Sequence, residues 1–372
     1  MRLEDRERDA NGSCTDTPSV RSAAQAGAGR SRLMLNLLTV LVTVFFSYLA
    51  LRGIDLRGAW HALRSSDYLW LLPALAAFAF ATLARALRWR SLFAPRRRPA
   101  LGAVANAMMV GYLYNNILPA RAGEVARVLV LRNRAGTQSA EILGTVVLER
   151  LYDVLGILVI FFAASPWLPS VSWLGAAALA AVILALAIAA AALALAIYGE
   201  RPLRLILRPL RRLGLFSGER LERIVTELTE GLSGLRHRGV ALVAFAWTIL
   251  AWLLSALSAY FVSVAFGLHL SPACGILVTV AIGVGMILPS PPAAVGVFEG
   301  ATLIALSAYS LPHSVALPYA LVLHLVNFLP FIAVGAGLLH YNARHPPRRE
   351  APEDDHSDEH PPQPAAEQFL AR

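Results

Sequence analysis

Long apolar runs separated by short polar segments dominate this chain. Leu33–Leu51 and Val171–Gly199 contain no charged residue, and each is close to the ~20 apolar residues that a bilayer-spanning helix needs. Apolar blocks lie near 33–51, 68–88, 101–118, 144–164, 172–198, 240–266, 275–289, 292–310 and 316–340. A helix in a soluble core seldom stays apolar on every face for so long. The pattern predicts an all-α polytopic membrane protein.

Composition agrees with this prediction and narrows the possible partners. The chain is 57% hydrophobic and only 15% charged, whereas soluble domains are about a quarter charged. Its positive charge comes from arginine, because the sequence has no lysine, and the net charge is +9. Nucleic-acid binding is rejected because the arginines lie between apolar runs. Cys14 lies in a polar tail and Cys274 in an apolar segment, so we predict no metal site and no cofactor.

The distribution of arginines predicts the topology. Arginines cluster at 88–98, 201–223 and 344–349, and the positive-inside rule places all three clusters in the cytoplasm. That assignment fails if 101–118 crosses fully, but it holds if this segment enters from the cytoplasm, breaks at Pro119 and returns through 120–133. A mirror-image hairpin, entering from outside, would break between Pro289 and Pro292. The expectation is about six full transmembrane helices and two re-entrant hairpins.

This topology sets the predicted domain boundaries. Residues 1–31 and 343–372 are predicted to be disordered cytoplasmic tails. Residues 32–342 form the transmembrane domain, and within it 201–238 is an amphipathic segment on the cytoplasmic surface. We expect the protein in the bacterial plasma (inner) membrane.

The two predicted breaks share a motif. Each begins with Ile-Leu-Pro and continues through a short irregular stretch to a glycine and a glutamate. The residues concerned are Asn115, Asn116, Pro119, Gly123 and Glu124 in the first, and Pro289, Pro291, Pro292, Gly296 and Glu299 in the second. Opposite insertion with a shared motif is typical of an inverted repeat whose broken helices meet at a substrate site. The alternative is chance recurrence of three residues in a leucine-rich chain.

Charged residues near the first break suggest a lipid-binding site. The helix after Pro119 begins with free N–H groups that suit an anion, and Arg121 would add a charge-assisted bond to a lipid phosphate. Glu124 and Arg127 share a helix face and are expected to pair. The alternative is that Arg121 and Arg127 only mark the cytoplasmic interface.

Further charges lie inside apolar blocks, where they are costly unless paired. Glu149, Arg150 and Asp153 are expected to face the bundle interior, either as a structural ion network or as substrate ligands. Glu299 is a candidate for proton coupling, for a cationic headgroup, or for capping its helix. His324 is given low weight as a packing residue. Arg85 and Arg88 are read as interfacial snorkelling residues, with Arg85 deepest and able to face a cavity.

These motifs resemble the lysylphosphatidylglycerol synthase transmembrane family, also called flippase-like proteins. The resemblance rests on Asn115-Asn116 to Pro119, Gly123-Glu124, Glu149-Arg150 with Asp153, and Glu299-Gly300. It implies movement of lipids or lipid-linked molecules between leaflets, with membrane lipids, especially anionic ones, as partners. Synthesis of lysyl-lipid is not expected, since only a short tail follows the apolar region. The alternatives are a membrane-embedded transferase and a non-transporting partner of a lipid-synthesis complex. No catalytic residue is predicted, because the sequence carries no P-loop, zinc-protease or Gly-x-Ser-x-Gly signature.

Overall fold

The computed structural model describes residues 56–118, 122–173, 238–286 and 292–345, with isolated helical residues between 175 and 187. The α-helices are α1 Leu56–Arg64, α2 Leu71–Ser91, α3 Leu101–Ile117, α4 Gly123–Ala135, α5 Ser139–Ala164, α6 Arg238–Ala265, α7 Ala273–Gly285, α8 Val297–Ser307 and α9 His313–Arg344. Short 3₁₀ turns precede α2, α3 and α8 and follow α5. This part of the chain contains no strand, which confirms the all-α class. Several predicted segments lie outside the described residues. These are the span 33–51, most of 172–198, the 201–238 segment except its last residue, and nearly all of both tails.

Three described helices are long and apolar enough to cross a membrane. They cover Tyr68–Ser91, Gly239–Ala265 and His313–Arg344, in agreement with the predicted blocks 68–88, 240–266 and 316–340. Helix α5 has 26 residues, which at 1.5 Å per residue is also long enough to span. Unlike the other three helices, α5 has charged residues in its middle, namely Glu149, Arg150 and Asp153.

The helices around the two breaks are too short to span. Helices α4 and α7 each have 13 residues, or about 20 Å, against a hydrocarbon core of about 30 Å. Helix α8 has only 11 residues. Helix α3 packs against α4, and α7 packs against α8. Each pair is therefore a helical hairpin, as the sequence predicted.

Glycine permits the close approach within the first hairpin. A Cβ built on Gly123 would lie 1.9 Å from the carbonyl oxygen of Gly111 and 2.5 Å from Asn115 Oδ1. Real side chains never come so close, so α3 and α4 touch backbone to backbone. Such contacts between small residues are typical of helices packed in membranes.

The central contact of the described fold is between α2 and α6. Helix α2 buries Ala74, Ala77, Ala81 and Ala84, whose spacing of three and four residues places them on one face. The helices are antiparallel, because Asp67 N–H donates to the Ala265 carbonyl (2.8 Å) at one end, while Arg88 approaches Thr248 at the other. The alanine face brings the two backbones close together.

The helix order repeats about this contact. A long helix, a short-helix hairpin and another long helix occur as α2 to α5 and again as α6 to α9. The packing repeats too, since α3 contacts α9 as α7 contacts α5, and α2 contacts α9 as α6 contacts α5. The equivalent helices α2 and α6 run in opposite directions, so the axis relating the halves is perpendicular to them. This geometry is that of an inverted repeat.

Opposite insertion of the two hairpins predicts opposite accessibility. In a background without Cys14 and Cys274, Ile117→Cys is expected to react with a membrane-impermeant thiol reagent from the cytoplasmic side, and Val295→Cys from the outside. Both side chains are exposed, at 57% and 44%. The measurement is labelling of inside-out and right-side-out vesicles. Labelling of both positions from the same side would contradict opposite insertion.

Candidate functional site

A polar cavity of about 420 Å³ lies between the two halves of the described structure. Six helices line it: α2, α3, α5, α6, α7 and α9. Its polar wall consists of Arg85, Arg88, Tyr112, Glu149, Arg150, Asp153, Ser255, Thr279 and Asn327, and its apolar wall includes Ile157, Trp252, Ile282 and Leu323. The cavity thus places charged groups beside an apolar surface.

Arg88 is at the centre of the polar wall. Its guanidinium is 3.1 Å from Glu149 Oε1 and 2.5 Å from Asp153 Oδ1, and the residue is only 1% exposed. This corrects the expectation that Arg88 snorkels to the interface. The neighbouring Trp89 is also fully buried and donates to Thr145 Oγ1 (3.0 Å), so it is not an interfacial anchor.

Arg127 pairs with Glu149 from the opposite side of the carboxylate. The contact is a charge-assisted hydrogen bond between two residues that are each 2% exposed. The Arg127 guanidinium also lies 4.1 Å from the centre of the Trp89 ring and 3.4 Å from Glu124 Oε2. The predicted pairing with Glu124 is therefore present. The alternative that Arg127 only marks the interface is wrong, since the side chain is buried and paired.

Arg150 lies at the edge of this network and is 45% exposed. It contacts Glu124 Oε1 (3.0 Å) and, one turn along its own helix, Asp153 Oδ2 (3.5 Å). Because Glu124 belongs to α4 and Arg150 to α5, these contacts connect the first hairpin to the cavity wall.

The network has one more cation than its carboxylates balance. It contains four arginines, at 85, 88, 127 and 150, and three carboxylates, Glu124, Glu149 and Asp153. Arg85 donates to Ser255 Oγ (2.8 Å) and lies 5.8 Å from the Trp252 ring centre. Within the described ranges it has no carboxylate partner. The cavity therefore favours an anion next to Arg85.

The first break closes one side of a smaller cavity of about 200 Å³. Asn115 Oδ1 accepts a hydrogen bond from Gly123 N–H (2.9 Å) across the break. Asn116 lines the smaller cavity, and its buried side-chain nitrogen has no partner among the described residues. The two cavities share the walls formed by Tyr112, Arg150 and Met286, so they adjoin.

The second break forms the other side of the smaller cavity through Ala293 and Ala294. Both alanines are left-handed, with φ of 55° and 56°, a conformation that costs an L-residue roughly 1–2 kcal/mol. Gly296 follows with φ of 84° and starts α8, and Pro292 begins the 3₁₀ turn. The flanks of both breaks thus line one cavity, as the inverted-repeat prediction required.

Glu299 is paired, as expected for a carboxylate in an apolar segment. Its Oε2 accepts from Gly296 N–H (2.7 Å), and its Oε1 lies 2.5 Å from His324 Nδ1. The capping alternative for Glu299 is therefore confirmed, and it is combined with a buried histidine contact. His324 is more than the packing residue that the sequence suggested.

The structure thus brings most of the predicted site residues together. Glu124, Arg127, Glu149, Arg150 and Asp153 form one network, and Asn115, Asn116 and Gly123 lie beside it. Arg121, Pro119, Pro289 and Pro291 lie outside the described residues. Arg88 was misread as a snorkelling residue, whereas Arg85 lines the cavity, as its depth in the helix suggested. The spacing of three residues on an apolar helix was the available signal that both face inward. Within the described ranges, no three His, Cys, Asp or Glu side chains are grouped to hold a metal ion.

Comparison with known sequences agrees with this architecture. Residues 36–335 match the family described as "Lysylphosphatidylglycerol synthase TM region". The chain belongs to this family. The match includes the first half of the repeat, the second half up to residue 335 of α9, and every residue of the charged network. The family resemblance inferred from the Asn-Asn, Gly-Glu and Glu-Arg motifs is confirmed.

A similar protein is a UPF0104 membrane protein of the archaeon Methanocaldococcus jannaschii. It is 22% identical over 232 residues, which cover 60% of this chain and 91% of the relative. The relative is a membrane protein by its description, in keeping with membrane localisation of this family member.

Proposed function

We propose that this family member moves a lipid or lipid-linked molecule with an anionic headgroup between the two leaflets of the plasma membrane, with both tails on the cytoplasmic side. The observation that carries the proposal is the cavity with an unbalanced arginine. Four of the six helices that line it, α2, α5, α6 and α9, are long enough to span a membrane. A phosphate headgroup cannot cross hydrocarbon unaided at low cost, and a polar cavity between two inverted halves supplies an alternative path.

The arrangement of the walls supports a lipid as the substrate. The headgroup would bind near Arg85, whose positive charge is not neutralised by a described carboxylate. The acyl chains would lie along the apolar wall at Ile157, Trp252 and Ile282. The smaller adjoining cavity leads from there to both breaks, whose opening would connect the headgroup to one leaflet or the other.

Arg85→Gln is expected to slow translocation while leaving the fold intact. Losing a hydrogen bond to a charged group costs about 1.5–3 kcal/mol, or roughly 10- to 100-fold in rate or affinity. Thermal stability is expected to change little, because no described carboxylate loses its partner. The measurement is dithionite quenching of fluorescent phosphatidylglycerol in proteoliposomes.

The matched control is Arg132→Gln, an exposed arginine on α4, which should translocate at the wild-type rate. Equal rates for Arg85→Gln and wild type would refute the headgroup site. Mass spectrometry of the recovered lipid separates the alternatives: a covalently altered lipid would identify a membrane-embedded transferase instead.

A further inference from the structure

The pair Glu299–His324 must hold a proton between its two side chains. His324 Nε2 lies 3.0 Å from the Ala293 carbonyl oxygen, which can only accept, so Nε2 carries a hydrogen. His324 Nδ1 lies 2.5 Å from Glu299 Oε1. Two lone pairs would repel at that distance, so a second hydrogen lies between them. The pair is neutral overall whether this proton belongs to the imidazole or to the carboxyl.

The same two side chains hold together residues 293–296, which follow the second break. Gly296 N–H donates to Glu299, Glu299 contacts His324, and His324 donates to the Ala293 carbonyl. This relay connects the two ends of residues 293–296, in which the left-handed Ala293 and Ala294 line the smaller cavity. Removing the shared proton would leave a buried net negative charge, which is costly. The imidazole would then have one hydrogen for two acceptors, Glu299 Oε1 and the Ala293 carbonyl oxygen, so one of the two contacts would lose its hydrogen bond.

The surroundings leave few other sources of charge for this pair. Helix α8 packs against α7 and α9, and the described part of α7 contains no titratable side chain except Cys274, at its far end. The rings of Phe298 and Phe328 contact the His324 ring in tilted arrangements, with ring centres 4.6 and 4.2 Å away. Beyond α9 lies the larger cavity, whose titratable groups are Arg85, Arg88, Tyr112, Glu149, Arg150 and Asp153. Within the described ranges none of these bonds to Glu299 or His324.

We propose that Glu299 and His324 form a proton-binding site whose occupancy determines whether residues 293–296 are held together, so that proton movement drives the translocation cycle. The inference rests on the proposed function for its coupling to lipid. The proton site itself stands on the relay geometry, and the two parts are tested separately.

The first measurement follows the accessibility of Ala293, at the start of residues 293–296. In a background without Cys14 and Cys274, Ala293→Cys is labelled with a maleimide over a pH series, and its rate is normalised to exposed Ala135→Cys to remove the intrinsic pH dependence of thiols. The normalised rate is expected to rise as the shared proton is lost. Adding Glu299→Gln, which cannot ionise, is expected to abolish that rise. A normalised rate independent of pH would overturn the proton site.

The second measurement tests the coupling. Proteoliposomes of phosphatidylethanolamine and phosphatidylglycerol carry fluorescent phosphatidylglycerol inside and out, with or without an imposed pH difference. The wild type is expected to move lipid faster with the pH difference, and Glu299→Gln and His324→Asn are expected to lose this acceleration. Glu141→Gln and exposed His340→Asn are the matched controls and should retain it.

The outcomes separate the two proposals. A rate of lipid movement that is independent of the pH difference would overturn proton coupling but would still support translocation. Absence of lipid movement under every condition would refute the proposed function, and the labelling of Ala293→Cys would then decide the proton site alone. Acceleration in the wild type that persists in Glu299→Gln would assign the coupling proton to another group and overturn this site.

Discussion

Glu149→Gln is expected to destabilise the protein more than any other single neutralisation in the charged network. Glu149 is 2% exposed and contacts Arg88, Arg127 and, at 3.7 Å, Arg150. Its loss leaves two buried guanidinium groups short of a counter-charge, and removing one partner of a buried ion pair costs about 3–5 kcal/mol. The measurement is the thermal unfolding midpoint of purified protein in detergent, together with the folded yield.

Glu141→Gln is the matched control for this change. Glu141 belongs to the same helix, lies in its first turn and has no ion-pair partner in the described part of the chain, so its loss should cost less than about 1 kcal/mol. If Glu149→Gln does not accumulate, the double change Arg127→Met with Glu149→Met is expected to recover part of the stability, because both charges go together. A cost for Glu149→Gln no greater than that of the control would contradict the network's structural role.

Gly123→Ala is expected to prevent the first hairpin from closing. Its Cβ would meet the Gly111 carbonyl oxygen at 1.9 Å, and neither atom belongs to a flexible side chain. The helices would have to separate, which breaks the Asn115 bond across the break and moves Arg127 away from Glu149. Overpacking of this kind costs about 3 kcal/mol or more. Fluorescence-detected size exclusion and thermal unfolding measure the loss.

Gly102→Ala is the control for the same chemical change. Gly102 also lies on α3, but a Cβ there would have nothing within 4 Å. Alanine favours a helix over glycine by up to about 1 kcal/mol, so this variant is expected to be neutral or slightly more stable. Wild-type stability for Gly123→Ala would show that the hairpin does not need its backbone contact.

Much of the fold could be predicted from the sequence, because each part corresponds to a distinct sequence pattern. Long apolar runs predicted α2, α6 and α9, and the arginine-rich segments required a hairpin where α3 and α4 are found. The recurring Ile-Leu-Pro motif indicated the repeat. The antiparallel contact of α2 with α6 could not be predicted from the sequence. The chain is rich in alanine, and buried alanines cannot be distinguished in sequence from alanines that face lipid.

The site was predicted less completely than the fold. Glu149 and Asp153 were recognised because charges within an apolar helix are costly, and the same argument applied to Arg85 and Arg88. Arg88 lies near a helix end, where snorkelling is a simpler explanation, so its inward orientation was recognised only in the structure. Arg85 lies deeper and was expected to be able to face a cavity. The partner of Glu299 was missed because His324 is 25 residues away in sequence, and helix spacing relates only residues within one helix.

The two halves of the repeat hold their hairpins with different chemistry. In the first half the contact from hairpin to following helix is Arg127 with Glu149, and in the second it is Glu299 with His324. A guanidinium keeps its proton at every physiological pH, whereas the Glu299–His324 contact depends on a shared proton. Under the proposed proton site, the first hairpin is held at every physiological pH and the second only while that proton is bound. Two halves that are equivalent in fold would then respond differently to acidity, and this difference would give the transport cycle a direction.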